Sequence, residues 1–207
     1  PEEPISHIMS TVPSTDEFFY NVAYDTTTVI VRGIIKVRED EGFDKYFTFN
    51  DFMKWLPYGK FTELRDRLLK FEDTDSKIIV GQIEDILDSG PEYFNKVSKT
   101  LKSAIMQLSL GNTAEVVSRS KNNDFLNRLE EGKGAILYVQ SAALLQPRAS
   151  FMLGRVIISM IQSLVGRFYA SGRKFERPLV IYGDEFSNIV YNGIDDMFNK
   201  QGDVIAI

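Results

Sequence analysis

Residues 178–186, with the sequence PLVIYGDEF, join a short apolar run to two adjacent carboxylates, Asp184 and Glu185. An apolar run of this length predicts a buried β-strand. A strand that is covered on both faces holds the residues at its carboxyl end in fixed positions, and ligands of open α/β sheets bind at that end. The stretch therefore predicts an α/β fold in this part of the chain and a site where the strand ends.

The two acids have the layout of a Walker B element, the metal and water site of nucleotide-driven motors. In this interpretation Asp184 serves Mg²⁺, directly or through water, and Glu185 orients or deprotonates the attacking water. The alternative is that the acids only mark the point where a strand re-enters water, and Gly183 weakens the apolar pattern. The motif by itself leaves both interpretations open.

Strand-like and helix-like segments alternate around the motif. We predict a strand at residues 135–139, a long helix at 149–171, a short helix at 192–200 and the start of a third strand at 204–207. This order implies right-handed crossovers and a parallel sheet. The acids would then lie at the carboxyl end of the middle strand, which favours the functional interpretation.

The preceding part of the chain has helical periodicity. Residues 14–17 are typical of a helix start, and the helix runs to about Arg38, although β-branched residues 26–31 leave a strand as the alternative there. Thr48 is expected to cap another short helix, and helical spacing continues to residue 130. We predict a linker or extended arm at residues 1–15, an all-α domain at 16–132 and a partial α/β domain at 133–207.

Composition excludes several kinds of site. The chain has 207 residues, a net charge of −5 and no cysteine, so disulfides and thiolate metal sites are excluded. His7 is the only histidine and is expected in the loose arm, which excludes histidine triads and histidine-rich zinc sites. Residues 151–169 are apolar but interrupted, and they are interpreted as a buried or amphipathic helix rather than a membrane span.

A basic group is the candidate binding surface. Lys96, Lys99 and Lys102 recur on one surface of a predicted helix, and Arg119 and Lys121 follow in a loop. Such a group could contact DNA phosphates or an acidic partner, because the acidic chain as a whole needs a local patch for nucleic-acid contact. The alternative is an ordinary solvated surface.

The order of parts resembles the type IV secretion coupling proteins, the TraD and TraG group of conjugative DNA-transfer motors. The resemblance lies in the strand at 134–139, the helix at 151–166, the stretch 177–186 and the helix start at 48–52, and it covers residue 16 to the end. The Walker B stretch alone is not specific. Its position after a helical insertion of this size makes the resemblance specific.

The resemblance implies a hexameric ATPase anchored in the bacterial inner membrane, with a RecA-like (P-loop NTPase) parallel sheet and an all-α domain facing the cytoplasm. It implies ATP and Mg²⁺ as cofactors, with Asp184 serving the metal and Glu185 activating water. The implied partners are DNA, the relaxase and its accessory proteins, and components of the secretion channel. The helical domain would recognise substrates or partners.

The chain departs from the family in two respects. It has no G-x-x-x-x-G-K-[ST] phosphate loop, which is expected before Pro1, so this stretch alone should not hydrolyse ATP. Residues 199–203 lack the arginine that the family often has there, and spacing selects none of Arg148, Arg155 and Arg167 for a nucleotide or a subunit interface. The alternatives are a non-enzymatic helical interaction module and another RecA-like DNA translocase, of the FtsK or HerA type.

Overall fold

The computed structural model describes residues 2–12, 17–44, 46–108, 123–141, 144–184, 186–191, 194, 197–198 and 204–206. The chain divides into two compact units, which we call unit 1 (Pro1–Ser118) and unit 2 (Arg119–Ile207). Helices dominate the described structure, which confirms the mainly helical class expected from the sequence. The boundary between the units lies before the domain boundary predicted at residue 132.

Unit 1 is built around one long helix. Its described helices are α1 (Glu2–Met9), α2 (Glu17–Asp40), α3 (Phe49–Met53), α4 (Tyr58–Leu68), α5 (Thr74–Asp88) and α6 (Pro91–Leu108). All five other helices pack against α2. The β-branched residues 26–31 are helical because burial among these neighbours outweighs their weak helix propensity. The predicted helix is confirmed there, and the strand alternative is wrong.

Close packing in unit 1 depends on one glycine and three rings. A Cβ atom at Gly33 of α2 would lie 3.0 Å from Cδ2 of the fully buried Leu64, so the glycine lets α4 approach α2. Phe94 of α6 stacks on Phe61 with ring centroids 4.7 Å apart, and its ring meets that of Tyr58 edge-on at 5.7 Å. These contacts join α4 and α6 through the core.

Two helix starts are fixed by local hydrogen bonds. Thr48 Oγ1 accepts from the Asp51 N–H at 3.2 Å, and the Asp51 carboxylate accepts from the Thr48 N–H at 3.0 Å. This capping box confirms the helix start expected from the sequence. Asp73 caps α5, and hydrogen bonds from the Ser76 hydroxyl and from the Lys36 ammonium group lower the pKa of Asp73 to about 2.

The N-terminal residues form a helix where an extended arm was expected. Helix α1 packs on α2 and buries Ile5, Ile8 and Met9. His7 is not in a loose tail, because its Nε2 atom is buried and has no hydrogen-bond partner among the described residues. Burial lowers the pKa of His7 to about 4. The prolines suggested an irregular segment, but the apolar side chains of α1 gain a buried surface on α2.

We expect unit 1 to lose stability in mild acid through His7. Its pKa is about 4 in the folded protein and 6.5 in the reference state, so below pH 6.5 the unfolded chain binds a proton that the folded chain does not. The resulting loss between neutral pH and about pH 5 is at most about 2 kcal/mol. Chemical denaturation at both pH values measures it. His7→Gln should show a smaller loss than the wild type, and equal losses would contradict this role for His7.

Unit 2 contains a short parallel strand pair. Its described elements are α7 (Asp124–Glu130), α8 (Pro147–Ala170), β1 (Leu179–Ile181), a 3₁₀ turn at Phe186–Asn188 and β2 (Val204–Ala206). Strands β1 and β2 are parallel, with Leu179 opposite Val204 and Ile181 opposite Ala206. The parallel pairing of these two strands was predicted and is confirmed, as is the end of the long helix at Gly172, whose φ is 67°.

Only one face of β1 is covered by the described residues. Leu179 and Ile181 pack in a cluster with Ile158, Ile161 and other residues of α8, whereas Val180 points away and is 53% exposed. The expectation of burial on both faces is therefore wrong for the described part of the sheet. Helix α8 is long and apolar enough to cross a membrane, but core helices share both properties, and α8 buries side chains in this cluster.

Residues 135–139 do not form the predicted strand. They have no regular structure, and no described residue forms a backbone hydrogen bond with them. Ile136 and Tyr138 are 97% and 82% exposed. A strand needs a neighbour for its backbone groups and a layer for its side chains, and the described residues supply neither.

Candidate functional site

Asp184 lies in an exposed turn shortly after β1. Its carboxylate has no ion-pair or hydrogen-bond partner among the described residues. An acid in this position is open to solvent and to a ligand that approaches the end of the strand. Glu185, the predicted catalytic base, lies outside the described residues.

The turn that carries Asp184 is held by a glycine and a phenylalanine. A Cβ atom at Gly183 would lie 2.5 Å from Cδ2 of Phe186, so a side chain at residue 183 would displace the ring. Phe186 packs against the cluster around β1 and meets Phe198 edge-on, with ring centroids 6.4 Å apart. Gly183, which weakened the apolar pattern in the sequence, is thus needed for the close packing of this turn.

The segment after the turn docks onto α8. A Cβ atom at Gly154 of α8 would lie only 2.6 Å from Cγ2 of Ile189. The Tyr191 hydroxyl donates to Gln162 Oε1 at 2.6 Å. These contacts, about two turns of α8 apart, fix the segment that follows the two acids along the helix.

Arg155 is the arginine that the structure places at this segment. Its Nη2 group donates to the Asn188 carbonyl at 3.4 Å, and its Nε is buried without a partner among the described residues. Arg167 instead pairs with Glu130, and Arg148 is exposed in the first turn of α8. Spacing could not separate the three arginines, because only the fold shows which one meets the segment. The available signal was Gly154 beside Arg155, a small residue that permits close approach.

We expect two glycine substitutions in α8 to change stability in opposite directions. Gly154→Ala places a methyl group against Ile189 and should lower the free energy of unfolding by about 1–3 kcal/mol. A Cβ atom at Gly166 meets nothing within 4 Å. Gly166→Ala should therefore raise the free energy of unfolding by about 0.5–1 kcal/mol, because alanine loses less backbone freedom on folding than glycine does. Denaturant unfolding measures both variants. A neutral or stabilising effect of Gly154→Ala would contradict the close docking.

Of the predicted basic group, three lysines are described. Lys96, Lys99 and Lys102 are exposed on α6, and none forms an ion pair with a described residue. Their common surface agrees with the spacing in the sequence. Arg119 and Lys121 lie outside the described residues.

Among the described residues, Asp184 is the one member of the predicted metal site. Mg²⁺ takes oxygen ligands and is often bound by one or two carboxylates together with waters and substrate phosphates. Asp184 meets that requirement because it is exposed and has no competing partner among the described residues. The part of the chain that the structure describes holds no group of three or more metal-binding side chains, so it provides no complete protein cage. The sequence contains no phosphate loop that would hold the triphosphate of a nucleotide.

A shallow cleft of about 240 Å³ lies elsewhere in unit 2, where α7 and α8 end. Arg173 lies over the Phe168 ring at 4.2 Å, Phe168 stacks on Phe175 at 4.4 Å, and Arg173 donates to the Glu130 carbonyl at 2.6 Å. These contacts satisfy the end of α7 and anchor the segment that leads into β1. The cleft lining does not include Asp184.

Comparisons with protein-family models, with curated proteins and with solved structures found no match to this chain.

Proposed function

We propose that this chain is part of a conjugative DNA-transfer coupling ATPase, in which Asp184 serves Mg²⁺ and Glu185 activates the attacking water. The observation that supports the proposal best is the order of parts. A helical unit is followed by the long helix α8, then by β1 with Asp184 at its carboxyl end, and then by β2 parallel to β1. A carboxylate shortly after a strand of a parallel pair supports the proposal, because nucleotide-driven motors carry the metal-binding acid after such a strand.

The fold within this proposal is a RecA-like sheet to which β1 and β2 belong, because these two strands are parallel. Helix α8 precedes β1 and packs against its covered face, as the helices of such sheets do.

The residues of this chain have separate tasks in the proposed site. Asp184 would hold the metal through water, and Mg²⁺ would neutralise charge on the phosphates. Glu185 would accept a proton from water, which is the task of a general base. Arg155 would position the segment after the acids by its bond to the Asn188 carbonyl. The sequence contains no phosphate loop, and within this proposal we expect the stretch alone not to hydrolyse ATP.

The whole protein would act as a homo-hexamer at the cytoplasmic face of the bacterial inner membrane. It would connect the relaxase–DNA complex with the type IV secretion channel, and unit 1 would recognise substrate or partner proteins. The support for a recognition role is the exposed surface of unit 1, where α5 and α6 carry charges that form no ion pair with a described residue.

The test is ATP hydrolysis by the full-length protein with and without DNA. We expect turnover that requires Mg²⁺ and is stimulated by DNA. A full-length sequence without a phosphate loop and without turnover would favour the alternative, a non-enzymatic helical interaction module. A translocase of the FtsK or HerA type would hydrolyse ATP but would not need unit 1 to bind the relaxase–DNA complex.

A further inference from the structure

Two segments of unit 2 bring six cationic side chains together around the loop of residues 130–134. We call these side chains the basic cluster: Arg128, Lys133, Arg167, Arg173, Lys174 and Arg177. All six residues are exposed, and residues 128–134 and 167–177 contain only three acids, Glu130, Glu131 and Glu176. The excess of positive charge is local, because the chain as a whole has a net charge of −5.

Contacts with the first part of the loop join three members of the cluster. Arg167 and Arg173 both bind Glu130, the first at its carboxylate and the second at its carbonyl oxygen. Lys174 lines the shallow cleft beside Arg173 and Glu130. These three cations therefore belong to one surface.

Two guanidinium groups meet at the other end of the loop. Arg128 Nη2 donates to the Gly134 carbonyl at 3.1 Å, and Nη1 of Arg177 lies 3.0 Å from the position of a Cβ atom at Gly134. Glu131 is paired with Lys133 at 2.7 Å, and the hydrogen bond from Lys133, together with the charge of Arg128, lowers the pKa of Glu131. Arg177 forms no ion pair with a described residue, so the acids do not neutralise the whole cluster.

Stabilisation of the helix ends explains only part of the cluster. Cations are favourable in the last turn of a helix, and the effect falls off beyond that turn. Arg167 and Arg173 bind the last residue of α7, and the Arg173 N–H donates to the Phe168 carbonyl at the end of α8. Lys174 and Arg177 lie beyond α8 and have no ion-pair partner among the described residues, so this explanation does not account for them.

An aromatic stack lies beside the cluster. Phe175 lines the cleft and stacks on the buried Phe168 with ring centroids 4.4 Å apart, and Arg173 lies over the Phe168 ring at 4.2 Å. The cleft of about 240 Å³ is smaller than the pockets of about 300–1,000 Å³ that enclose small molecules. A flat ring that rests on Phe175 or Arg173 fits this cleft better than an enclosed ligand does.

We propose that the basic cluster binds single-stranded nucleic acid, with phosphates on Lys174 and Arg177 and a base against Phe175 or Arg173. A positive surface for the backbone and side chains on which bases stack are the two parts of sites that bind single strands without sequence preference. Arginine supplies four of the six cations. Its planar fork matches the geometry of a phosphate group.

The cluster is separate from the proposed ATP site. Arg177 lies before β1 and Asp184 lies after it, so the two residues are at opposite ends of the strand. Phosphates and base faces are common to DNA and RNA, so the choice of DNA as the strand rests on the proposed function. The surface itself depends on neither ATP nor the assignment of Asp184 and Glu185.

The test is fluorescence anisotropy of the chain with oligo-dT of about 20 nucleotides, between about 50 mM and about 200 mM NaCl. We expect binding that weakens as salt rises. Lys174→Glu/Arg177→Glu should bind at least about tenfold more weakly at low salt. It should also reduce the slope of log affinity against log salt by about 1.4, since each phosphate contact on a single strand contributes about 0.7.

A matched control makes the same change of charge in unit 1. Lys70 and Lys77 are exposed and form no ion pair with a described residue, so Lys70→Glu/Lys77→Glu should bind as the wild type does. Both double variants should unfold at the same denaturant concentration as the wild type. Equal loss of binding in the two variants would show that only net charge matters, which would overturn the proposal.

Two further ligands test the proposal on the wild-type chain alone. An abasic strand of the same length keeps the phosphates and lacks the bases, so it should bind at least about fivefold more weakly than oligo-dT. Poly-L-glutamate should not displace oligo-dT at the same concentration of charge. Equal affinity for the abasic strand would contradict the stacked base, and displacement by poly-L-glutamate would assign the cluster to an acidic protein instead.

Failure of this inference and failure of the proposed function give different results. Binding of oligo-dT at the cluster, without ATP hydrolysis by the full-length protein, would contradict the proposed function and support the inference. DNA-stimulated hydrolysis, with equal binding of oligo-dT by Lys174→Glu/Arg177→Glu and the wild type, would contradict the inference alone.

Discussion

In the full-length protein, Glu185→Gln should reduce DNA-stimulated ATP turnover by about 100-fold or more, as loss of a general base does. Glutamine preserves the size of the side chain and can still orient water, but it cannot accept the proton. ATP binding should persist because the acid acts on the water and not on the phosphate cradle. Steady-state kcat together with binding of a fluorescent nucleotide measures the two effects separately.

Two further variants make this result specific. Asp184→Asn should raise the Mg²⁺ concentration needed for half-maximal turnover, since an amide is a weaker ligand for a hard cation than a carboxylate. Glu176→Gln removes an exposed carboxylate that lies against Gly132 near the start of β1, and it should leave turnover unchanged. Unchanged turnover in Glu185→Gln would remove Glu185 from catalysis.

Phe94→Ala should destabilise unit 1 by about 3–5 kcal/mol, as expected for removal of a fully buried phenylalanine. Phe94 is 0% exposed, and the substitution removes its contacts with Phe61 and Tyr58 together. Because α4 and α6 meet through these rings, the cavity cannot close without moving a helix. Denaturant unfolding followed by circular dichroism, which reports the helix content, measures the change.

The matched control is Phe18→Ala on α2. Phe18 is 68% exposed, so its removal should change the free energy of unfolding by no more than about 0.5 kcal/mol. Equal effects of the two substitutions would show that the stacked rings are not part of a rigid core.

Local sequence signals predicted the features that local contacts determine. The capping box at Thr48 and the end of α8 at Gly172 depend on residues within a few positions of each other, and both were found where expected. Helix α1 was missed because its stability comes from packing on α2, which is distant in sequence. The strand at 135–139 was predicted from its apolar residues, but a strand also requires a partner that no pattern within the segment can specify.

In the candidate site, too, local sequence predicted some features, and contacts between distant residues determined the others. The position of Asp184 after a strand follows from an apolar run that ends in an acid, and the structure places it there. The role of Arg155 could not be read from spacing, because it depends on the way residues 186–191 fold back onto α8. The need for Gly183 was hidden for the same reason, since Phe186 approaches it only in the folded turn.

The exposed segment at residues 135–139 has a consequence for the behaviour of the isolated chain in concentrated solution. Its sequence, AILYV, contains no charge and no proline. Short apolar segments of this kind stack with identical segments into cross-β aggregates when nothing covers them. Ile136, at 97% exposure, is the residue where a lysine would interrupt such stacking with the least loss of native packing. We therefore expect these five residues, rather than the acidic surface, to limit the solubility of the chain.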